Sequence, residues 1–239
     1  MFGWQSTRDG ITRALTDRHG GYSTGDFDAL NLGSRVGDDP AAVVVNRATL
    51  AAAVGVEPDR LIFLHQVHGA EVVTVTAPLE AEPQADAIVT AEPDLALAVL
   101  AADCVPVLLA DAQAGLIGAA HVGRPGLTAG TVAAVVERLR ALGAERLDAV
   151  VGPAVCGACY EVPADLAAEV TAYVPQAAAV SRDGTPALDI AAGVLAQLAA
   201  LGIPALRAGG CTRESADQYS YRRDGRTGRH AGVIVRRTV

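Results

Sequence analysis

Three short segments of the sequence contain side chains that bind transition metals. They are His65-Gln66-Val67-His68-Gly69, Ala102-Asp103-Cys104-Val105-Pro106 and Ala120-His121-Val122-Gly123. Imidazole and thiolate together suit zinc or copper, and three protein ligands leave a coordination position for water or a substrate. The residue types therefore indicate an open metal centre of the catalytic kind.

Residue spacing alone does not establish such a centre, because ligands that converge from separate strands have no fixed separation. A lone histidine or cysteine beside an apolar strand is commonly a packed core residue, and this alternative stays open. His65 and His68 would point to opposite faces of an extended strand, so both could bind one ion only if the backbone turned. We therefore assign His65 to packing or to orienting a ligand.

Short apolar strands are the elements that would position these side chains. Apolar and β-branched runs bounded by Asp, Gly or Pro predict strands at 61–64, 70–76, 87–89, 95–100, 105–110, 116–120, 147–151, 203–206 and 232–235. The possible ligands fall at the ends of these strands or in the turns between them.

Helices are predicted in the second half of the chain. Apolar residues recur every three to four positions from Val132 to Leu142, and Gly143 ends this helix. Two more helices are predicted at 163–174 and 187–201. Clusters of strands with a few helices favour an α+β fold over strict alternation. We expect one domain over residues 1–239, with mixed β-sheets and flanking helices in an αββα layered sandwich.

Composition narrows the class of protein. With 239 residues, 51% of them hydrophobic, and a mean hydropathy of +0.28, the chain can bury a large core. No apolar run reaches the ~20 residues of a membrane span. The N-terminus lacks the pattern of a secretion signal, so we expect a cytoplasmic protein with no membrane partner.

The net charge and the cysteine content argue against a nucleic-acid-binding protein and against a disulfide-linked protein. The formal net charge of −8 argues against a nucleic-acid partner, although the locally basic segment 222–237 could meet a small anion. Four cysteines in a chain of this length, without a secretion signal, indicate thiols or metal ligands rather than a disulfide framework.

A series of motifs runs in order along nearly the whole chain. They are Asn31-Leu32-Gly33, Gly37-Asp38-Asp39-Pro40, Asn46-Arg47, His65 to Gly69, Ala102 to Pro106, His121 to Gly126, Gly152-Pro153 to Cys159-Tyr160-Glu161-Val162, Ser220-Tyr221-Arg222-Arg223-Asp224-Gly225 and Thr227-Gly228-Arg229. This series resembles the YfiH-type laccase-domain family. Its members are described as multifunctional purine nucleoside enzymes, polyphenol oxidoreductases and peptidoglycan editing factors.

The resemblance implies a metal-dependent enzyme. The expected activities are phosphorolysis of adenosine, inosine and methylthioadenosine, together with deamination of adenosine. Its partners would be a small nucleoside and phosphate. Zn²⁺ is the expected ion and Cu²⁺ the alternative. A homodimer is left open by the sequence.

The resemblance also assigns the metal ligands. The last His of a Gln-Val-His-Gly motif, the Cys of Ala-Asp-Cys and the His that opens His-Ala-Gly-Trp-Arg-Gly fall on His68, Cys104 and His121. The third motif departs from the family pattern, because here it reads His121-Val122-Gly123-Arg124-Pro125-Gly126. It lacks the Trp and places Arg124 one position early.

Three more residues are assigned to the site. Asp103, beside the thiolate, could orient a histidine or accept a proton, although it could equally be a turn residue. Arg47, in the Asn46-Arg47 motif, is the expected catalytic and substrate-binding clamp for phosphate, with a surface salt bridge as the alternative. In the family, the position that matches Cys159 lies at the pocket, which implies substrate binding.

Cys156-Gly157-Ala158-Cys159 has the spacing of a redox pair and of a zinc knuckle. Neither kind of site fits this sequence well. A knuckle needs a second pair of ligands, and Cys211 stands alone in the sequence. We expect Cys156 to be a packing residue, and His19 and His230 to lie on the surface or in turns.

Three other functions remain as alternatives. Copper-dependent polyphenol oxidation is disfavoured because the chain has only five histidines and one methionine, at position 1. A cysteine-type amide hydrolase acting on peptidoglycan precursors would use Cys104 as its nucleophile. A binding protein with a structural metal would have no open coordination position.

Overall fold

The structure is a computed structural model that describes residues 1–238. In this part of the chain it has thirteen strands, namely β1 Phe2–Arg8, β2 Ile11–Thr16, β3 Leu61–Ile62, β4 Val72–Thr74, β5 Ala87–Thr90, β6 Ala96–Ala101, β7 Val105–Asp111, β8 Leu116–Val122, β9 Asp148–Val151, β10 Ala178–Val180, β11 Pro186–Leu188, β12 Ala205–Arg207 and β13 His230–Arg236. It has six α-helices, namely α1 Pro40–Val54, α2 Arg124–Ala129, α3 Thr131–Ala141, α4 Ala164–Tyr173, α5 Ile190–Ala200 and α6 Tyr221–Asp224.

The strands form two large sheets. The five-stranded sheet has the order β1-β2-β13-β6-β3, and the six-stranded sheet has the order β12-β9-β7-β8-β5-β4. Both sheets are mixed, because β3 runs parallel to β6, β4 to β5 and β12 to β9, whereas the other neighbours are antiparallel. Strands β10 and β11 form a separate antiparallel pair.

Apolar side chains on both faces of each sheet create four layers. Along β6, Leu97 and Val99 face the other sheet, whereas Ala96 and Ala98 face α1, as the two-residue period of a strand requires. The opposite face of the six-stranded sheet packs against α3, α4 and α5. The predicted α+β fold with αββα layers is confirmed. Among residues 1–238, no helix is long and apolar enough to cross a bilayer.

Local sequence explains most of the helix boundaries. Asp39 caps α1 by accepting a hydrogen bond from the Ala41 N–H, and Pro40 occupies the first turn. The predicted helix at 187–201 begins later, at Ile190, because 186–188 pairs with β10 as strand β11. Asp189 then caps α5. Strands β1, β2, β10 and β11 and helices α2 and α6 were not predicted.

The buried carboxylate of Asp111, at the end of β7, ties two loops to the six-stranded sheet. Its oxygens accept backbone N–H groups from Gln113 and Ala114 in one loop and from Glu145 and Arg146 in the other. Burial raises the pKa of Asp111, but these four hydrogen bonds together lower it by a larger amount. The net pKa therefore lies below the ordinary value of an aspartate.

We expect Asp111→Asn to reduce the free energy of unfolding by about 1–3 kcal/mol at pH 7, because the amide cannot accept all four bonds. A depressed carboxyl pKa stabilises the fold above the unfolded pKa of about 4, and this contribution is lost as pH falls through the folded value. Urea unfolding at pH 7 and near pH 3, below the unfolded pKa, should therefore show a smaller difference from wild type at the lower pH. The exposed Asp59→Asn variant is the control. Equal effects of the two variants at pH 7 would contradict this role for Asp111.

Candidate metal centre

His68, Cys104 and His121 converge from three parts of the chain. His68 lies between β3 and β4, Cys104 between β6 and β7, and His121 within β8. One potential ligand atom of each lies within 4.8 Å of the other two. His68 Nε2 is 3.8 Å from Cys104 Sγ, and the two imidazole rings meet edge to face with centroids 4.9 Å apart. The structure therefore brings the three residues together.

Backbone turns direct two of these side chains. His68 has φ 62° and Asp103, which precedes Cys104, has φ 93°. Residues other than glycine rarely adopt a backbone conformation with positive φ, so the surrounding contacts must hold each turn in place. His65 lines the nearby cavity and pairs through its backbone with Gln84 instead of joining the ligand cluster.

Asp86 holds the His68 turn and His121 together. Its fully buried carboxylate accepts the backbone N–H groups of Val67, His68 and Gly69, at 3.1, 2.9 and 2.7 Å. The same carboxylate lies 2.8 Å from His121 Nδ1. A proton on Nδ1 leaves Nε2 as the basic nitrogen, which is how a carboxylate prepares a histidine for metal binding.

Asp86 was not recognised as a site residue from the sequence. A lone acidic residue directly before an apolar strand has the appearance of a turn residue, and only the fold shows that it is buried. The core tolerates the buried negative charge of Asp86 because its carboxylate accepts hydrogen bonds from the three backbone N–H groups and from His121. Burial raises the pKa of Asp86. The hydrogen bond and charge of His121 lower it by more, together with the backbone N–H groups, so the net pKa lies below the ordinary value.

Cys104 and His121 favour a charged pair. Burial raises the pKa of Cys104, but the charge and hydrogen bond of His121 and the hydrogen bond of His68 outweigh it and lower the pKa to about 6. Burial lowers the pKa of His121, but the Cys104 thiolate and Asp86 raise it to about 9. Cys104 is thus a thiolate at neutral pH, which is the form that binds metals.

Gly123 leaves the space in which the ligands meet. A Cβ atom at this position would lie 2.8 Å from His68 Cδ2 and 3.0 Å from Cys104 Sγ. A larger residue at position 123 would therefore displace these ligand side chains. This space, the thiolate and imidazole donors and the Asp86 brace all suit a zinc or copper ion bound by three protein ligands.

A cavity of about 510 Å³ opens directly over these ligands. This volume is typical of sites for small molecules. Its walls include the two aromatic residues Tyr160 and Tyr221 and the four arginines Arg35, Arg124, Arg222 and Arg229. Aromatic surface beside concentrated positive charge suits a ligand with a flat ring and an anionic partner.

Asp103 lines this cavity, but its carboxylate is occupied by other groups. One oxygen accepts the Thr212 hydroxyl at 2.6 Å and the other accepts the Arg222 backbone N–H at 2.6 Å. Asp103 thus fixes the turn beside Cys104 to the loop that contains Thr212 and to the start of α6 at Arg222.

Arg47 lies behind the cavity wall. Its guanidinium donates to Glu82 at 2.7 Å and to the Leu32 carbonyl at 2.9 Å, and it stacks 4.0 Å from the centre of the Phe63 ring. Glu82 itself lines the cavity. The structure therefore connects Arg47 to the cavity through Glu82.

The structure does not bring Cys159 to this cavity. Its buried thiol points to Glu214 in a separate cluster that also includes Cys156 and Cys211. The expectation that Cys211 stands alone was therefore wrong. His230 was expected on the surface or in a turn, but it begins β13 and is only 1% exposed. His19 is exposed, as expected, and pairs with Asp217.

Comparison with known proteins agrees with this fold and with the expected family. The family described as "Multi-copper polyphenol oxidoreductase laccase" matches residues 12–237. A Streptomyces coelicolor protein named purine nucleoside phosphorylase is 54% identical, and the alignment covers 98% of this chain and 99% of the relative.

Solved structures show the same architecture. YlmD from Geobacillus stearothermophilus has a TM-score of 0.88 and 34% identity, with 96% of this chain and 93% of that chain covered. YfiH from Bacillus licheniformis has a TM-score of 0.87 and 28% identity, with 95% and 93% covered. The protein therefore has the fold of a laccase-like domain. The chain belongs to the YfiH-type laccase-domain family.

We expect Gly123→Ala to weaken zinc binding by about 10–100-fold, because the added methyl group would displace His68 and Cys104. Competition with a chromophoric chelator would measure the affinity, and the thermal midpoint would report on folding. Gly3→Ala is the control, since its added carbon would meet only ordinary contacts. Unchanged zinc affinity in Gly123→Ala would argue against binding at these ligands.

Zinc affinity should also rise with pH. Between pH about 6 and 9, binding must release the proton that the raised pKa keeps on His121, so affinity should increase about tenfold per pH unit. Below pH about 6 the protonation of Cys104 adds a second proton and steepens the slope. Chelator competition from pH 5.5 to 9.5 would measure this. A flat profile between pH 6 and 9 would contradict the paired charges.

Proposed function

We propose that the protein is a zinc-dependent purine nucleoside phosphorylase that also deaminates adenosine. One observation carries the proposal: the metal-binding side chains His68, Cys104 and His121 lie beside a cavity with aromatic and arginine walls. The relative from S. coelicolor that is named purine nucleoside phosphorylase supports the choice of reaction.

Each ligand residue would contribute to holding the ion. Cys104 would supply a thiolate and His68 an imidazole, and Asp86 would keep the proton of His121 on Nδ1 so that Nε2 can bind. When bound, zinc would supply Lewis acidity toward an oxygen atom of the reactants. The buried position of His121 and the absence of room for a side chain at Gly123 would limit how far the ligands can move.

Arg124 is our choice for the residue that binds phosphate. It lines the cavity three residues from His121, and among residues 1–238 no hydrogen-bond or ion-pair partner engages its guanidinium. A free, partly buried guanidinium can hold phosphate through two parallel hydrogen bonds. Phosphate held there would be oriented for attack on C1′ of the ribose, with the base as leaving group.

Arg47 and Asp103 would act as positioning residues. Arg47 would hold Glu82 at the cavity wall, which places the carboxylate within reach of sugar hydroxyls. Asp103 would hold Thr212 and the backbone of Arg222, so that the cavity side near Cys104 keeps its shape. Tyr160 and Tyr221 would supply flat surfaces for the purine.

A cysteine hydrolase is the second candidate, and one observation favours it. The lowered pKa of Cys104 and the raised pKa of His121 describe the thiolate and imidazolium pair that activates a nucleophilic cysteine. A thiolate that binds zinc would be a poor nucleophile. The metal content of the active protein therefore separates the two functions.

The test is an assay of purified full-length protein with inosine or adenosine, with and without phosphate. We expect phosphate-dependent release of hypoxanthine or adenine, and conversion of adenosine to inosine at the same centre. Cys104→Ser should reduce both activities by more than about 100-fold and remove one equivalent of zinc. Amide hydrolysis by zinc-free protein would support the cysteine nucleophile, and dioxygen uptake with bound copper would support the oxidase.

Arg124→Gln should raise KM for phosphate about tenfold, as expected for the loss of one charge-assisted hydrogen bond of about 1.5 kcal/mol. KM for the nucleoside should change much less. Arg138→Gln, on the exposed face of α3, is the matched control. Equal KM values for phosphate in the two variants would exclude Arg124 as the phosphate ligand.

A further inference from the structure

A second cluster of metal-binding side chains lies outside the cavity. Cys156, Cys159 and Cys211 supply thiols and Glu214 a carboxylate, with one ligand atom of each within 4.8 Å of the others. One oxygen of Glu214 lies 3.1 Å from Cys159 Sγ and 3.8 Å from Cys156 Sγ. The four groups therefore face a common point.

Two turns of the same construction present these ligands. In the first, the Cys159 and Tyr160 N–H groups both donate to the Cys156 carbonyl. In the second, the N–H groups of Glu214 and of the following residue both donate to the Cys211 carbonyl. Each turn thus places a ligand at its first and fourth positions, which is the spacing of ligand pairs in structural zinc sites.

Backbone contacts fix the two turns side by side. Ala154 forms an isolated parallel bridge with Cys211, and its carbonyl accepts the Thr212 N–H at 3.1 Å. The Cys156 N–H donates to Cys211 Sγ across the gap at 3.3 Å. An N–H group that points at sulfur stabilises the thiolate, which is the form that binds a metal.

The surroundings suit a divalent ion. Three thiolates and one carboxylate carry four negative charges, of which a divalent ion would offset two. The Arg182 guanidinium pairs with Glu214, and the Arg213 guanidinium lies 3.5 Å from the Cys159 carbonyl. These two arginines provide the remaining positive charge. Without an ion, burial and the hydrogen bond to Glu214 raise the pKa of Cys159 to about 12, so this thiol would lose its proton only as a cation binds.

We infer that Cys156, Cys159, Cys211 and Glu214 bind one Zn²⁺ as a closed structural site, separate from the centre at Cys104. Thiolate donors select soft or borderline ions, and four protein ligands leave no position for a substrate. This inference does not depend on the proposed nucleoside chemistry. It replaces the packing role expected for Cys156 and the substrate-binding role expected for Cys159.

The site would join the two turns to the wall of the cavity. Thr212, directly after Cys211, donates its hydroxyl to Asp103 beside Cys104. Tyr160, directly after Cys159, lines the cavity. A metal that holds both turns would thus fix two parts of the substrate site without touching the substrate.

Metal analysis of purified full-length protein produced in zinc-supplemented medium tests this site. We expect two zinc ions per chain. Cys104→Ser should retain one, Cys159→Ser should retain one, and the double variant should retain none. A single zinc that is lost in Cys104→Ser and kept in Cys159→Ser would overturn the inference, as would copper in place of zinc at the second cluster.

Two further measurements apply if Cys159→Ser fails to fold. Glu214→Gln changes a partly exposed ligand and should weaken binding of the second zinc at least about tenfold in chelator competition, with Asp183→Asn in the neighbouring turn as control. Cobalt added to zinc-depleted Cys104→Ser protein should give the intense absorption of thiolate-to-cobalt charge transfer. No such band, or equal zinc affinity in the two carboxylate variants, would overturn the inference.

Thiol counting separates this zinc site from a redox pair. Denatured, zinc-depleted Cys104→Ser protein, purified without reductant, should react at three thiols per chain, because zinc protects the thiolates from oxidation. One reactive thiol would show a disulfide within the cluster and would overturn the inference.

Discussion

The buried carboxylate of Asp86 is the interaction on which the metal centre depends. It connects the turn that carries His68 to the strand that carries His121 through hydrogen bonds to both. An ionised carboxylate without partners in the core would be strongly destabilising, so the three N–H groups and the imidazole must be in place when the site folds. The geometry of the ligands is therefore a property of the core itself, rather than of flexible surface loops.

The layered fold explains why residues distant in sequence can meet there. Cys104 follows β6 of one sheet and precedes β7 of the other, so the chain crosses between the sheets at the metal centre. Pro106 pairs with His121 in the antiparallel register of β7 and β8. The crossing from one sheet to the other thus brings Cys104 to the strand that contains His121.

Much of this arrangement could be predicted from sequence. The periodic pattern after Gly130 predicted α3 closely, and apolar runs identified most strands of the sandwich. Strand β1 was missed because its exposed polar residues dilute the apolar pattern. Strand β2 was missed because Thr12, Arg13 and Thr16 interrupt its apolar residues, although most of the strand is buried. Asp86 was missed because neither spacing nor composition distinguishes a buried acid from a turn residue. Cys211 and Glu214 were not recognised as a ligand pair because only the bridge from Cys211 to Ala154 brings them to Cys156.

Strand β13 occupies the centre of the five-stranded sheet, between β2 and β6, although it is the last strand in chain order. During synthesis, β2 and β6 emerge from the ribosome long before the residues that pair with them. Until then both strands present unpaired backbone edges, which invite contacts with other chains. The sandwich can close only when residues 230–236 have been released, so chains that have not yet reached this strand are exposed to aggregation.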